Sequence, residues 1–349
     1  MAKLAPREDL QDITSQLTME WEILRGRRIL LTGATGFFGK WLTQALLHAD
    51  QEMQLGMKLA VVTRDQKRAE VDSPWLVGRV EWIEGDVRTV APTGEFQVII
   101  HGAAAASRDL NENRPTEMFD TILEGTRHML EVARASDCKL FMFISSGAVY
   151  GAQVEAQVAE TAQTGPDPLD ARAAYGEAKR AAEFLCSSYA RTFGFELKIA
   201  RCFAFVGPYL PIDLHFAAGN FIGHVLKNET IAIGGDGTPL RSYLYASDLV
   251  VWLLKILVRG ESHRAYNVGS EHSVSIAELA EHTHQVGLAL KPERASLRVP
   301  ISIAKTKAEG RSPEKYVPST ERARKELGLK TQVDLDSAIR KTTLWHQSC

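Results

Sequence analysis

Cysteine is scarce in this chain. There are four in 349 residues, at Cys138, Cys186, Cys202 and Cys349, and no two stand at CxxC spacing. That argues against a thiolate metal site and a disulfide framework, and it suits a reducing compartment. An excess of one charge is also missing. Lys and Arg number 41 against 43 Asp and Glu, a formal net charge of -2. No basic field is present to hold nucleic acid or an anionic membrane. The longest apolar run, 249–258, is interrupted by Lys255 and is too short to span a bilayer. Residues 1–9 lack the apolar core of a signal peptide, so a cytoplasmic location is expected. No internal repeat and no low-complexity tract is seen. His272, His282 and His284 cluster late in the chain. With no cysteine or acidic residue at ligand spacing, they are expected on an exposed helix and not around a metal. Trp21, Trp41, Trp75, Trp82 and Trp252 have no basic stripe beside them, which favours core packing over base stacking.

What is present is an alternation of short apolar strands and helical stretches. Strands are expected at 28–32, 58–63, 80–83, 96–101, 139–145 and 196–205. Buried strands separated by helices imply βαβ units and a parallel sheet covered on both faces. The fold class is therefore α/β, a doubly wound parallel Rossmann sheet, with a smaller C-terminal lobe bearing on the substrate. Residues 9–24 have helical spacing and belong to an N-terminal extension, 1–25. The dinucleotide-binding domain is expected over 26–206. The substrate-binding lobe is expected over 207–349, with some segments returning to the sheet. A helix is expected over 220–226 in that lobe.

Two motifs carry chemistry. Gly33-Ala34-Thr35-Gly36-Phe37-Phe38-Gly39 follows the first strand and opens a helix. Glycines there permit a tight turn, a close approach of backbone to a diphosphate, and packing of helix on strand. The helix N-terminus offers N–H groups and the positive end of its dipole to phosphates. After the second strand the chain reads Thr63-Arg64-Asp65. An arginine there suits the 2′-phosphate of NADP, so NADP(H) is favoured and NAD(H) is the alternative. Asp86 and Val87, after the third strand, are placed to meet the adenine. The second motif is Tyr175 with Lys179, preceded by Ser145-Ser146. A free tyrosine is a poor base at neutral pH, but an ammonium one helical turn away favours the tyrosinate. Tyr175 could then move a proton as hydride moves, with Ser146 holding the same oxygen.

With these residues in view, the chain resembles the extended short-chain dehydrogenase/reductase family in its nucleotide-sugar branch. The likeness rests on the glycine motif, Gly85-Asp86-Val87, Ile100-His101-Gly102-Ala103-Ala104, Gly125-Thr126, Ser145 to Gly151, and Tyr175 with Lys179. It continues through Gly234-Gly235-Asp236-Gly237, Arg241-Ser242-Tyr243, Asp248, Tyr316-Val317-Pro318-Ser319 and Glu326-Leu327-Gly328. The resemblance implies catalytic Ser146, Tyr175 and Lys179. It implies a cofactor site at Gly33, Thr35, Gly36, Phe37, Phe38, Gly39, Arg64, Asp86, Val87, Ala103, Ala104 and Ala105, with Tyr175 and Lys179. It also implies substrate contacts from Ser146, Tyr175, Asn220 and Arg241, the last two toward a diphosphate. Asn220 could alternatively be a helix N-cap. The partner implied is a nucleoside-diphosphate sugar, and the assembly a homodimer through the helix at 116–135 and the one carrying Tyr175. Departures matter. Gly147 and Ala148 stand where 4,6-dehydratases carry Asp-Glu, which weakens dehydration and leaves a 4-ketoreductase or an epimerase. Ala204 replaces a substrate-binding asparagine of many epimerases. Ile122 replaces an asparagine that braces the backbone. The alternatives are a dehydratase using other acid and base groups, and an NADP-sensing binding protein without chemistry.

Overall fold

The computed structural model describes residues 3–103, 108–214, 216–290, 300–306 and 312–347. The strands are β1 (Arg28–Thr32), β2 (Lys58–Thr63), β3 (Glu81–Glu84), β4 (Val98–His101), β5 (Leu140–Ser146), β6 (Glu196–Cys202), β7 (Ala204–Val206), β8 (Ile231–Ile233), β9 (Leu240–Tyr245), β10 (Arg264–Val268), β11 (Ser273–Ser275), β12 (Ile301–Ile303) and β13 (Lys315–Tyr316). Seven form one parallel sheet in the order β10-β6-β5-β4-β1-β2-β3.

Strand side chains alternate in direction, so one apolar run feeds two cores. Ile29 and Leu31 of β1 and Met142 and Ile144 of β5 join the core under helices Phe37–Met53 and Ala246–Arg259. Leu30, Phe141 and Phe143 join the core under helices Pro115–Ala135 and Ala174–Phe193. Trp21, Trp41 and Trp252 lie inside the first core. The order of strands reverses between β1 and β4, and a crevice opens at their carboxyl ends.

The remaining strands build beside that crevice. β9 pairs with β7, β11 and β13, and β8 pairs with β12. Helices Ala217–Lys227, Ile276–Leu290 and Leu335–Gln347 close a third core there. Two expectations change in detail. The sixth strand does not run through 205, because β6 ends at Cys202 and β7 leaves to pair with β9. An apolar run cannot reveal that the chain changes partner strand midway. The N-terminal helix is also two helices, Arg7–Gln16 and Thr18–Leu24, hinged at the non-helical Leu17. The apolar spacing survives the break because both pieces bury residues in the same core. Among the described residues no helix is long and apolar enough to cross a membrane.

Candidate active site

At Gly33 the backbone turns with φ +78, and a Cβ there would lie 2.8 Å from the Gly102 carbonyl carbon. At Gly39 a Cβ would sit 2.2 Å from the Gly33 oxygen. Both positions therefore exclude a side chain. The helix Phe37–Met53 starts from Gly36 with no side chain capping it, so the N–H groups of its first turn face the crevice uncapped. Thr35 and Gly36 are exposed at the tip. Phe38 packs edge-on against Phe205, ring centroids 5.0 Å apart, and Phe37 leans on Phe38. These rings brace the turn, and its backbone is left for a ligand. An uncapped helix end behind a turn that admits no Cβ fits the diphosphate of a dinucleotide.

The far wall of the turn is set by a buried hydrogen-bond chain. The Thr126 hydroxyl donates to the Ile122 carbonyl at 2.7 Å, so it accepts from His101 Nε2 at 3.1 Å. A neutral imidazole then accepts at Nδ1 from the Thr32 hydroxyl, 2.8 Å away. Thr32 Oγ1 in turn accepts from the N–H groups of Gly102 and Ala103 at 3.2 and 3.0 Å. Burial, aided by the nearby Lys179 charge, pushes the His101 imidazole down to about 3, which holds it neutral. The backbone at Ala103 is thus braced without an asparagine at Ile122. Ala104 and Ala105 lie outside the described residues.

Arg64 is exposed just beyond β2. Asp65 is committed elsewhere: its carboxylate caps the following helix by accepting from Arg68 N at 2.9 Å. Asp86 is held by Arg88, whose Nε and Nη2 donate at 2.8 and 2.9 Å. Those Arg88 hydrogen bonds keep the Asp86 carboxyl down to about 2. Val87 turns onto the core beneath helix Pro115–Ala135.

The catalytic candidates meet at the carboxyl end of β5. Ser146 ends that strand, and its Oγ accepts from Ala148 N at 3.1 Å. Tyr175 and Lys179 stand one turn apart on helix Ala174–Phe193. Lys179 is buried, donates from Nζ to the Ile144 carbonyl at 2.7 Å, and lies over the Phe143 ring at 4.6 Å. It is 5.9 Å from the centre of the Tyr175 ring. Burial pushes the Tyr175 hydroxyl up to about 12, and a hydrogen bond from Ser146 pulls the other way. Burial pushes the Lys179 ammonium down to about 8.

Three contributors were given no role by the sequence. Tyr316, from β13, places its hydroxyl 3.2 Å from Ser146 Oγ and 3.4 Å from the Cys202 carbonyl oxygen. Asn111 accepts from Tyr175 N at 3.1 Å and so caps the helix carrying Tyr175 from another segment. Phe203 lies against Tyr316, ring centroids 4.7 Å apart, and fills the space beside Gly147, where a Cβ would meet its ring at 2.7 Å. Only the tyrosine stood in a motif already noted.

The lobe residues are less converged. Arg241 is occupied by Glu314, Nη2 donating to its carboxylate at 2.6 Å, and its guanidinium lies 5.9 Å from the Tyr316 ring centre. Asn220 is not a helix N-cap: the helix Ala217–Lys227 begins a turn earlier, with Phe216 at that place. Its side-chain oxygen is buried without a partner among the described residues, which suits an unfilled polar contact. His282 Nδ1 donates to the Asp336 carboxylate at 2.6 Å, and His284 is buried. A cavity of about 800 Å³ lies elsewhere, beside Glu183, Arg201 and His263.

A family model described as the NAD dependent epimerase/dehydratase family matches residues 29–269. UDP-glucuronic acid decarboxylase 6 of Arabidopsis thaliana is 29% identical over 313 residues, covering 89% of this chain and 86% of that protein. The structure of UDP-N-acetylglucosamine 4-epimerase from Methanobrevibacter ruminantium M1 superposes with a TM-score of 0.78 at 18% identity, covering 93% of this chain and 99% of the other. That of dTDP-glucose 4,6-dehydratase from Bacillus anthracis, solved with NAD, gives 0.73 at 17% identity over 92% and 97%. The two structures share the Rossmann-like fold with this chain.

Proposed function

The chain belongs to the NAD-dependent epimerase/dehydratase family, and on that premise we propose that it modifies a nucleoside-diphosphate sugar by hydride transfer at C4. The observation that carries the reading is the meeting of Ser146, Tyr175 and Lys179 at the carboxyl end of β5. The glycine turn would hold a nicotinamide cofactor, which would supply hydride-transfer chemistry at C4. Tyr175 takes the proton of the C4 hydroxyl during oxidation and gives one back during reduction. Its hydroxyl lies too high for that work unaided, so positive charge must favour the phenolate, and Lys179 supplies it. Ser146 holds the same oxygen. Arg64 beyond β2, with Asp65 committed to its helix, supports NADP(H) over NAD(H). Arg241 and Asn220 are assigned to the diphosphate.

Gly147 weighs against dehydration. Elimination of water needs an added acid and base, and Phe203 leaves no room there for a carboxylate. A 4-ketoreductase or an epimerase needs only the three residues. The name of the Arabidopsis relative adds UDP-glucuronic acid as one substrate to test. A homodimer through helices Pro115–Ala135 and Ala174–Phe193 belongs to this reading, and the exposed Phe184 on the latter supports it. A cytoplasmic location belongs to it as well.

The test is mass spectrometry of products from a panel of nucleotide sugars, including UDP-glucuronic acid and 4-keto sugars, with each cofactor in each redox state. Two added hydrogens with NADPH alone identify a reductase. An isomer of unchanged mass identifies an epimerase. Loss of carbon dioxide identifies a decarboxylase, and loss of water a dehydratase. Tyr175→Phe should lower kcat by about 10²–10⁴. Cofactor binding with no turnover of any sugar would overturn hydride transfer in favour of a sensor.

A further inference from the structure

Behind the three residues lies a polar row that crosses the sheet, its Glu183–Arg201 pair lining the cavity of about 800 Å³. Ser145 on β5 pairs in register with Arg201 on β6, and Arg201 pairs in register with Asn267 on β10. All three side chains engage polar partners on one face. Arg201 donates from Nε and Nη2 to the Glu183 carboxylate at 3.0 and 2.7 Å, and from Nη1 to the Tyr150 hydroxyl at 2.8 Å. That hydroxyl donates to Asn267 Oδ1 at 2.8 Å. Asn267 Nδ2 donates to the carbonyls of Val158 and Ser319 at 2.9 and 3.0 Å, which ties the row to the chain entering the last helices. Glu183 and Arg201 keep only 12% and 17% of their side-chain surface exposed.

A largely buried ion pair is a poor source of stability, because desolvation offsets the attraction. Its place in the helix indicates a different role. Tyr175, Lys179 and Glu183 stand on successive turns, four residues apart, and share one face. Consecutive residues of β5 meet those turns. The Ile144 carbonyl accepts from Lys179, and Ser145 Oγ donates to Glu183 Oε1 at 2.6 Å. Ser146 comes next and ends the strand. Two rungs therefore register the catalytic helix against the strand that carries Ser146, and the second rung is Glu183.

We propose that Glu183, clamped by Arg201, is a positioning residue that locks helix Ala174–Phe193 to the end of β5 and so sets Ser146, Tyr175 and Lys179 in one geometry. The proposal rests on the function proposed above for those three residues. It has an electrostatic corollary. The groups facing Lys179 are Tyr175, Glu183 and Cys186 on its own helix, His101 on β4 and Cys202 on β6. His101 is neutral and burial holds both thiols protonated, so Glu183 is the one carboxylate among them. Its removal leaves Arg201 uncompensated, and the Lys179 ammonium becomes easier to deprotonate.

The test compares Glu183→Gln, Ser145→Ala and the double variant, each shown by circular dichroism to be folded. On the sugar that the wild type turns over, Glu183→Gln should lower kcat by about 10²-fold, the scale of a 1 Å misplacement, with KM within about twofold. Ser145→Ala should lower kcat less, and the double variant should match Glu183→Gln, because both changes cut one rung. The titration of Lys179, followed by NMR of [13Cε]lysine-labelled protein with NADP+ added, should move to lower pH in Glu183→Gln and stay in place in Ser145→Ala. That readout needs no substrate. If no sugar is turned over, hydride transfer fails on its own, and the NMR shift still supports or overturns the placing of Glu183 beside Lys179. Unchanged kcat, additive losses, or a Lys179 titration unmoved in Glu183→Gln would each overturn the proposal.

Discussion

Lys179 has lost most of the protection that water gives an ammonium. Burial brings it down to about 8, so it is charged below that pH and neutral above it. If its charge is what makes Tyr175 a usable base, kcat should fall as pH rises through about 8. Lys179→Met should lower kcat by about 10² or more and abolish that alkaline limb, which a pH–rate profile reads directly. Gly147 is a second residue with one physical reason for being what it is. Phe203 is nearly buried and wedged between Tyr150 and Tyr316, so it cannot swing away from a new methyl group. Gly147→Ala should destabilise by about 1–3 kcal/mol in urea unfolding. Pairing it with Phe203→Leu, which frees volume at the same spot, should recover at least half of that loss.

Among the elements, β13 contributes most for its length. Two residues long, it delivers Tyr316 to Ser146, and the residue just before it, Glu314, to Arg241. Glu314 is 70% exposed, and ion pairs of that kind are worth about 0.2–1 kcal/mol. A substrate diphosphate that takes the Arg241 guanidinium must displace it. Glu314→Gln should therefore lower KM for the nucleotide sugar by about twofold to fivefold, with kcat and melting temperature unchanged. A KM that does not fall would mean that Arg241 is not the diphosphate contact. The helix Ala174–Phe193 shows the same borrowing. Its first turn is capped by Asn111, a side chain that belongs to a different helix.

At the scale of the whole molecule, the N-terminal helices act as a strap. Asp9 is buried and accepts from the Tyr245 hydroxyl at 2.7 Å and from Lys341 on the last long helix at 2.5 Å. Trp345 Nε1 donates to the Leu4 carbonyl at 2.8 Å, and the Tyr209 hydroxyl donates to that of Lys3 at 2.7 Å. Asp248, close by, accepts from the N–H groups of Gln332 and Val333 at 2.9 and 3.1 Å. Burial, with Asp9 adding to it, pushes its carboxyl up to about 6. Its folded pKa thus lies above the unfolded value near 3.9. Between those values the folded chain binds the proton more tightly, so stability falls as pH rises from about 4 to 6 and stays lower above that. Asp248→Asn keeps an oxygen acceptor for both N–H groups and removes the ionisation. It should be more stable than the wild type by up to about 3 kcal/mol at pH 7.5 and no more stable at pH 4. Urea unfolding at the two values checks the sign.

The fold class, the glycine turn and the Tyr175–Lys179 pair were legible in the sequence because each is a local pattern. A buried strand shows within a few residues, and a Tyr and a Lys four apart share a helix face whatever surrounds them. The braced turn was legible only in part: Ile122 seemed to remove a support, and the chain His101–Thr126–Thr32 supplies one across three elements. The strand break at Phe203, the occupant of the space beside Gly147, and the partners of Asp9, Arg201 and Ser146 were decided by the tertiary structure alone. Ser146 and Tyr316 are 170 residues apart, and Asp9 and Lys341 are 332 apart. No periodicity links positions so distant. They meet because a twisted sheet, its crossovers and the packed cores leave one place for each, and that is a property of the whole chain closed on itself.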